Sequence, residues 1–189
     1  MKNEFVIRDD SAVIMVKGRG DEWMETIIDV EDLDKACAFP NTWMVFPGKR
    51  GEPYIRGVLT RAGQRRSFAF HRWIMDAPAT FVVDHANGDT LNNRRSNIRI
   101  VSVATNNANV INPRRQSITG VLGVSYYSRK KSHPYVARIK VNKQNRHLGC
   151  FATIEDAQFA YLHAKQQVIS EHLAADADRL RVSEVASGS

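Results

Sequence analysis

Apolar residues recur along the first seventy positions in short runs separated by turn chemistry. Phe5-Val6-Ile7 and Ala12-Val13-Ile14-Met15-Val16 flank Arg8-Asp9-Asp10-Ser11, which predicts a β-hairpin. Met24 to Val30 alternates loosely and reads as a strand. Asp29 to Ala38 brings Val30, Leu33 and Cys37 to one side, a helical spacing that Pro40 ends. Trp43 to Phe46, Tyr54 to Leu59 and Ser67 to His71 read as further strands, with turns at Pro47-Gly48 and Ala62-Gly63. A short helix over Arg72–Met75 follows, then a β-like run at Ile98-Arg99-Ile100-Val101 and a polar helical start at Asn106-Asn107. Pro113 breaks that helix, so residues 112–119 read as a linker.

The pattern then restarts. Gly123 to Tyr126 reads as a strand, and Tyr135 to Val141 alternates apolar with basic, as a half-buried strand does. Asn142 to Asn145 is a turn and Arg146 to Phe151 a third strand. Thr153-Ile154-Glu155-Asp156 has the capping-box form, and Ala157, Ala160, Tyr161, Ala164 and Val168 give the following helix its apolar face. The tail from Ser170 begins as a continuation of that helix and turns acidic before Arg179. These elements predict an α+β protein. They divide it into a β-rich region 1–70, a segment 71–111, the linker 112–119, a three-strand-plus-helix module 120–172 and a tail 173–189.

The hydrophobic fraction is 43% and the charged fraction 25%, which marks a globular chain. No apolar run reaches the length of a membrane span. Glu4, Asp9 and Asp10 disfavour a signal peptide, and Cys37 and Cys150 lie far apart, outside any C-x-x-C pair, so a reducing cytoplasm fits. The net charge of +7 is unevenly spread. Thr90 to Ile154 holds twelve Lys and Arg and no Asp or Glu, while the remainder carries fifteen basic against twenty acidic residues. Such a one-sided field suits a polyanion.

The candidate chemistry lies in Val82 to Asn109. Asp84 and His85 are adjacent, and at a strand end both can look into one cleft. Asp84 and the amide oxygen of Asn106 offer hard donors to a cation such as magnesium, which binds through few protein ligands plus water and phosphate. His85 can take a proton from water. Asn87 and Asp89 shape the turn between them. His71 either hydrogen-bonds a phosphate or a group near His85, or packs at the start of its helix; a supporting role is the reading adopted.

The spacing Asp84-His85, Gly88, Asn92-Asn93-Arg94, Asn97-Ile98-Arg99, Ser102 and Asn106-Asn107, with Phe70-His71-Arg72-Trp73-Ile74-Met75 upstream, resembles the HNH endonucleases of the phage and intron-encoded homing type over about forty residues. The resemblance implies a ββα-metal (His-Me finger) core and a phage or mobile-element protein acting in its host cell. It also implies Mg2+ or Mn2+ held by Asp84 and Asn106, His85 as general base, and hydrolysis to 5′-phosphate and 3′-hydroxyl ends. Asn97 would tie the loop through side-chain to backbone bonds. Gly120-Val121, Gly123-Val124, Tyr135 to Ile139, His147-Leu148-Gly149 and Phe151-Ala152-Thr153 with the Ala157/Ala160-Tyr161 helix resemble the APETALA/ERF-type DNA-binding domain. There the sheet enters the major groove.

Double-stranded DNA is therefore the expected partner, with no membrane and no small-molecule cofactor. Its candidate contacts are Arg72, Arg94, Arg95, Arg99, Arg114, Arg115, Arg129, Lys130, Arg138, Lys140 and Arg146. Tyr126 and Tyr127 read equally as contacts or as core. One chain offers one centre, so a nicking monomer is the simplest form. The rival readings are a DNA-binding regulator with an inert HNH segment and an RNA-directed or structure-specific nuclease.

Overall fold

The computed structural model describes residues 1–18, 20, 22–48, 51–111, 113 and 117–187, with the side chains of the last helix described to Val182. The fold is mixed α+β, sheets with few helices, and it divides into two compact units, Met1–Ile100 and Val101–Ser189. The division falls at Ile100, inside the 71–111 segment, and the 1–70 region belongs with the strand pair that carries Asp84 and His85.

In the first unit, β1 (Phe5–Arg8) and β2 (Ser11–Lys17) form a hairpin whose turn places Asp9 at φ 50°. β3 (Trp23–Asp29) pairs along the whole of β2. A 3-10 turn at Val30–Asp32 leads into α1 (Leu33–Cys37). β4 (Trp43–Pro47), β5 (Pro53–Arg61) and β6 (Gln64–Ala69) complete a six-stranded sheet of order β1-β2-β4-β5-β6, with β3 on β2. The last strand stops at Ala69 rather than His71. Phe70 and Ile74, both fully buried, are four residues apart and belong on one helical face, so α2 (Phe70–Met75) begins there. β7 (Val82–His85) and β8 (Ile98–Val101) make a separate two-stranded pair.

The core is aromatic. Phe39 stacks on Trp43 with ring centroids 4.0 Å apart, and Phe70 meets Trp43 edge-on at 4.8 Å. The indole N–H of Trp43 donates to the Ala36 carbonyl at 3.2 Å and that of Trp73 to the Lys35 carbonyl at 2.8 Å, so the buried Trp43 and the half-buried Trp73 both have their donors paired. The Trp73 bond fastens α2, the helix that carries His71, to α1, and the Trp43 bond fastens β4 to the same helix α1. Gly57 on β5 lies against this cluster, and a Cβ there would overlap the ring of Phe39 and crowd Trp43.

In the second unit, α3 (Val103–Ala108) is capped by Ser102, whose hydroxyl accepts from the Thr105 N–H at 3.3 Å. β9 (Val124–Tyr126), β10 (Tyr135–Val141) and β11 (Gln144–Phe151) form an antiparallel sheet of order β11-β10-β9. α4 (Ile154–Ser187) covers one face of it, packing Ala157 against Val124 and Ala137. Gly123 enters β9 at φ 71°, where a Cβ would strike the ring of Tyr161. The tail expected after residue 172 is part of α4, which runs to Ser187 with neither glycine nor proline to stop it.

Gly57→Ala is expected to lower stability by about 1–3 kcal/mol, because neither Phe39 nor Trp43 has room to move. Urea unfolding followed by tryptophan fluorescence checks this.

Candidate active site

Asp84 and His85 end β7 and are 7% and 5% exposed. Arg72, on α2, prepares their approach. Its guanidinium donates to the carbonyls of Phe81 at 2.6 Å, Ala77 at 2.9 Å and Pro78 at 3.0 Å, folding the segment that enters β7. As neighbours on a strand, the two site residues diverge. Asp84 Oδ2 accepts from Nε and NH2 of Arg99, on β8, at 3.1 and 2.9 Å. His85 lies edge-on to His71 and Tyr54, with centroids 5.2 and 6.1 Å away.

The loop from Ala86 to Asn97 is held from within by amide side chains. Asn97 Oδ1 accepts from the Asn87 N–H at 3.1 Å, and its Nδ2 donates to the carbonyls of Asn92 at 2.8 Å and Asp89 at 3.2 Å. Asn87 Oδ1 accepts from the Asp89 N–H at 2.8 Å, and Asp89 Oδ1 from the Leu91 N–H at 3.0 Å. From outside, β3 grips the loop: Ile27 N–H donates to the Leu91 carbonyl at 3.1 Å and Asn93 N–H to the Ile27 carbonyl at 2.8 Å.

One chain of bonds orients the imidazole. The Leu91 carbonyl can only accept, so the Thr26 hydroxyl, 2.7 Å away, spends its single proton there. Thr26 must then accept from Asn93, 2.8 Å away, which makes the group facing it the amide NH2. Asn93 Oδ1 therefore faces His85 Nε2 at 3.1 Å and accepts from it. A neutral His85 carries its proton on Nε2 and its basic lone pair on Nδ1. Burial pushes His85 below its ordinary value, only partly offset by the Asn93 bond and the Asp84 charge, so the ring is neutral at pH 7. His71 is pushed down to about 3, by burial first and then by the neighbouring His85, Arg72 and Arg56.

Residues 69–108 match the HNH endonuclease family model. No curated protein and no solved structure matches the chain. The HNH segment thus includes α2, the Asp84–His85 pair, the asparagine-tied loop and α3. It supports a nuclease that acts on DNA.

Asn106, the remaining member of the expected triad, lies on α3 in the second unit, with its side chain exposed. That helix is fastened to α4: Asp176 Oδ2 accepts from the Ser102 N–H at 2.8 Å and from the Thr105 hydroxyl at 2.5 Å. Asp176 is 2% exposed. Burial would raise its pKa, but the bonds from Thr105 and Ser102 prevail and hold it below the usual carboxylate value. Sequence reasoning gave the tail no role, because a lone acid in an acidic segment has no distinguishing pattern. It also passed over Asn93 and Thr26. Asn93 stood beside Asn92 in the motif, whereas Thr26 lies 67 residues earlier.

Several arginines expected on DNA have uses inside the fold. Arg72 holds three carbonyls, as above. Arg94 binds Asp29 at 2.7 Å and Asp10 at 2.5 Å, Arg95 makes a two-pronged contact with Asp32 at 2.7 and 2.9 Å, and Arg99 takes Asp84. Arg114 and Arg115 lie outside the described residues. Arg129, Lys130, Arg138, Lys140 and Arg146 are exposed in the second unit. Arg138 and Lys140 pair across the sheet with His147 and Asn145 and share the face away from α4. Arg146 pairs with buried Ile139 and so belongs to the opposite face. Arg138 donates to the Tyr127 hydroxyl at 3.0 Å, with its guanidinium over that ring.

Among the described residues, no three His, Cys, Asp or Glu side chains group as a metal cage, and no helix is long and apolar enough to cross a membrane. One carboxylate and one amide suit a hard cation that keeps most of its water; they do not suit zinc.

In wild-type protein, nitrogen NMR of the histidine side chains is expected to show His85 protonated on Nε2. Thr26→Val removes the shortest bond that orients the Asn93 amide and leaves only the long contacts to the Thr90 and Leu91 carbonyls at 3.4 Å, so the share of the Nδ1-protonated form should rise; an Nδ1 proton already in wild type would refute the assignment. His71 has a folded pKa below its unfolded one. Its stabilisation is therefore present above about 6.5 and is lost as pH falls toward 3. Between pH 7.5 and pH 5, wild type should lose about 1–2 kcal/mol more than His71→Gln, measured by denaturant unfolding at each pH.

Proposed function

We propose that this protein is a metal-dependent HNH endonuclease of the homing type, cutting or nicking double-stranded DNA that its second unit holds. The observation that carries the reading is the buried Asp84–His85 pair inside the matched segment, with the imidazole neutral and its proton committed to Asn93. His85 takes the proton of the attacking water at Nδ1. Asn93, held by Thr26, goes on accepting from Nε2–H and so fixes the ring's orientation as it becomes cationic, and the nearby Asp84 charge favours the cation. His71, kept neutral, adds no opposing charge at that moment.

Asp84 and Asn106 are the residues that would hold Mg2+ or Mn2+. When bound, the ion neutralises charge at the scissile phosphate and the leaving oxygen. Until then Arg99 keeps the Asp84 carboxylate paired. The ββα-metal description of the segment, and 5′-phosphate and 3′-hydroxyl products, belong to the same proposal.

The DNA-holding surface we assign is the sheet face of Arg138 and Lys140, with Arg129 and Lys130 and the Tyr126–Tyr127 edge. The pattern is that of an ERF-type domain, in which strands lie in the major groove. Lys130 lies 2.9 Å from Cys150 Sγ on β11, which brings its charge to this sheet.

A second reading has one observation in its favour. The Asp84 carboxylate holds an arginine, as a purely structural acid would, which suits a DNA-binding regulator with an inert HNH segment.

Plasmid digestion with and without magnesium separates the two. The nuclease reading expects metal-dependent nicking that falls about 10²–10⁴-fold in His85→Ala and at least as far in Asp84→Ala. Metal-independent DNA binding with no nicking by wild type would establish the regulator. Arg138→Ala should weaken DNA binding and lower the salt slope by about one ion.

A further inference from the structure

β1 ends the six-stranded sheet, and among the described residues nothing pairs with its outer edge. Its apolar residues are uncovered: Phe5 is 41%, Val6 55% and Ile7 54% exposed. Open edges of soluble proteins usually carry a lysine, a proline or a bulge that prevents pairing. The three central residues of this one carry none of these.

The pairing pattern shows which peptide groups face outward. The Met15 N–H donates to the Glu4 carbonyl at 2.9 Å, and the β1–β2 register runs Phe5 to Ile14 and Val6 to Val13. Peptide groups alternate along an antiparallel ladder, so Glu4, Val6 and Arg8 bond inward to β2. Phe5 and Ile7 direct theirs to the open edge.

We infer that this edge pairs with β1 of a second copy of the chain, antiparallel about a two-fold axis at Val6. In that register Phe5 meets Ile7 of the second copy, both with outward peptide groups, and the two such pairs close four backbone hydrogen bonds. On the other face Val6 meets its own copy, and Glu4 meets Arg8 of the second copy on each side. The charges select this register. Centring on Phe5 sets Lys2 against Arg8, and centring on Ile7 sets Glu4 against Asp10, like charges in both cases. Parallel pairing in register sets Glu4 against Glu4. Only the Val6 register joins opposite charges while keeping the hydrogen-bonding pattern, and the interface it makes is isologous and closed.

A four-residue strand pair is smaller than a stable interface, so the dimer is concentration-dependent. The inference concerns association and does not depend on whether the chain cleaves DNA. The test is sedimentation equilibrium of the full chain, at low salt, from about 1 to 500 μM. Wild type should pass from monomer to dimer across that range. Glu4→Arg or Arg8→Glu should each weaken the dimer about fivefold or more. The double variant E4R/R8E restores both cross-copy pairs and should return to within about twofold of wild type. Both side chains are exposed, so circular dichroism should be unchanged in all three variants. A wild type that stays monomeric to the highest concentration overturns the proposal, as does a dimer that the single variants leave intact or the double variant does not restore.

Discussion

A backbone carbonyl that can only accept sets the direction of everything that follows it at this site. The Leu91 oxygen draws the Thr26 proton, Thr26 then receives the Asn93 amide, and Asn93 in turn receives His85 Nε2–H. Polarity thus passes from the loop through β3 and back to the loop, with no ion needed to impose it. The six-stranded sheet matters to the site because it supplies Thr26 and grips residues 91–93 through Ile27. The aromatic core behind it fixes α2, and through Arg72 the entry to β7. A mobile imidazole would sample both tautomers; this one is held between a sheet and a tied loop.

Local chemistry made much of this readable in advance. Alternation and turn residues placed the N-terminal hairpin, the strands at Trp43 and Tyr54, and the three strands of the second unit within a few residues. The spacing around Asp84, His85 and Asn97 drew attention to the loop that the Asn97 side chain ties together. What could not be read was contact at long range. Nothing in the neighbourhood of Thr26 hints that its hydroxyl serves a histidine 59 positions later. Asp176 looks like one acid among several, and only the packing of α3 on α4 shows it to be buried and to accept from both Ser102 and Thr105. The end of β6 was also a matter of packing, because Phe70 and Ile74 have to share a helical face.

Charge segregation along the chain has two sources that sequence alone merges. Arg94, Arg95 and Arg99 open the acid-free stretch, yet each faces an acid supplied from outside it: Asp10 and Asp29, Asp32, and Asp84. Part of the apparent imbalance is therefore a set of ion pairs drawn apart in the linear order and closed by folding. Among the described residues, other cations of that stretch stand on the second unit's sheet, where Arg138 and Lys140 rise from one face and Arg146 from the other. The field available to a polyanion is narrower and more directional than the sequence total suggests.

The Asp176 anchor has a consequence for the order in which the molecule is completed. The carboxylate that steadies the start of α3 lies 74 residues after Ser102. On the ribosome, the helix bearing Asn106 emerges long before that partner exists, and a six-residue helix is too short to persist without support. The nascent chain therefore passes through a long interval in which β7 is already made and α3 has yet to acquire its anchor. The bonds that anchor that helix can close only once Asp176 has been made.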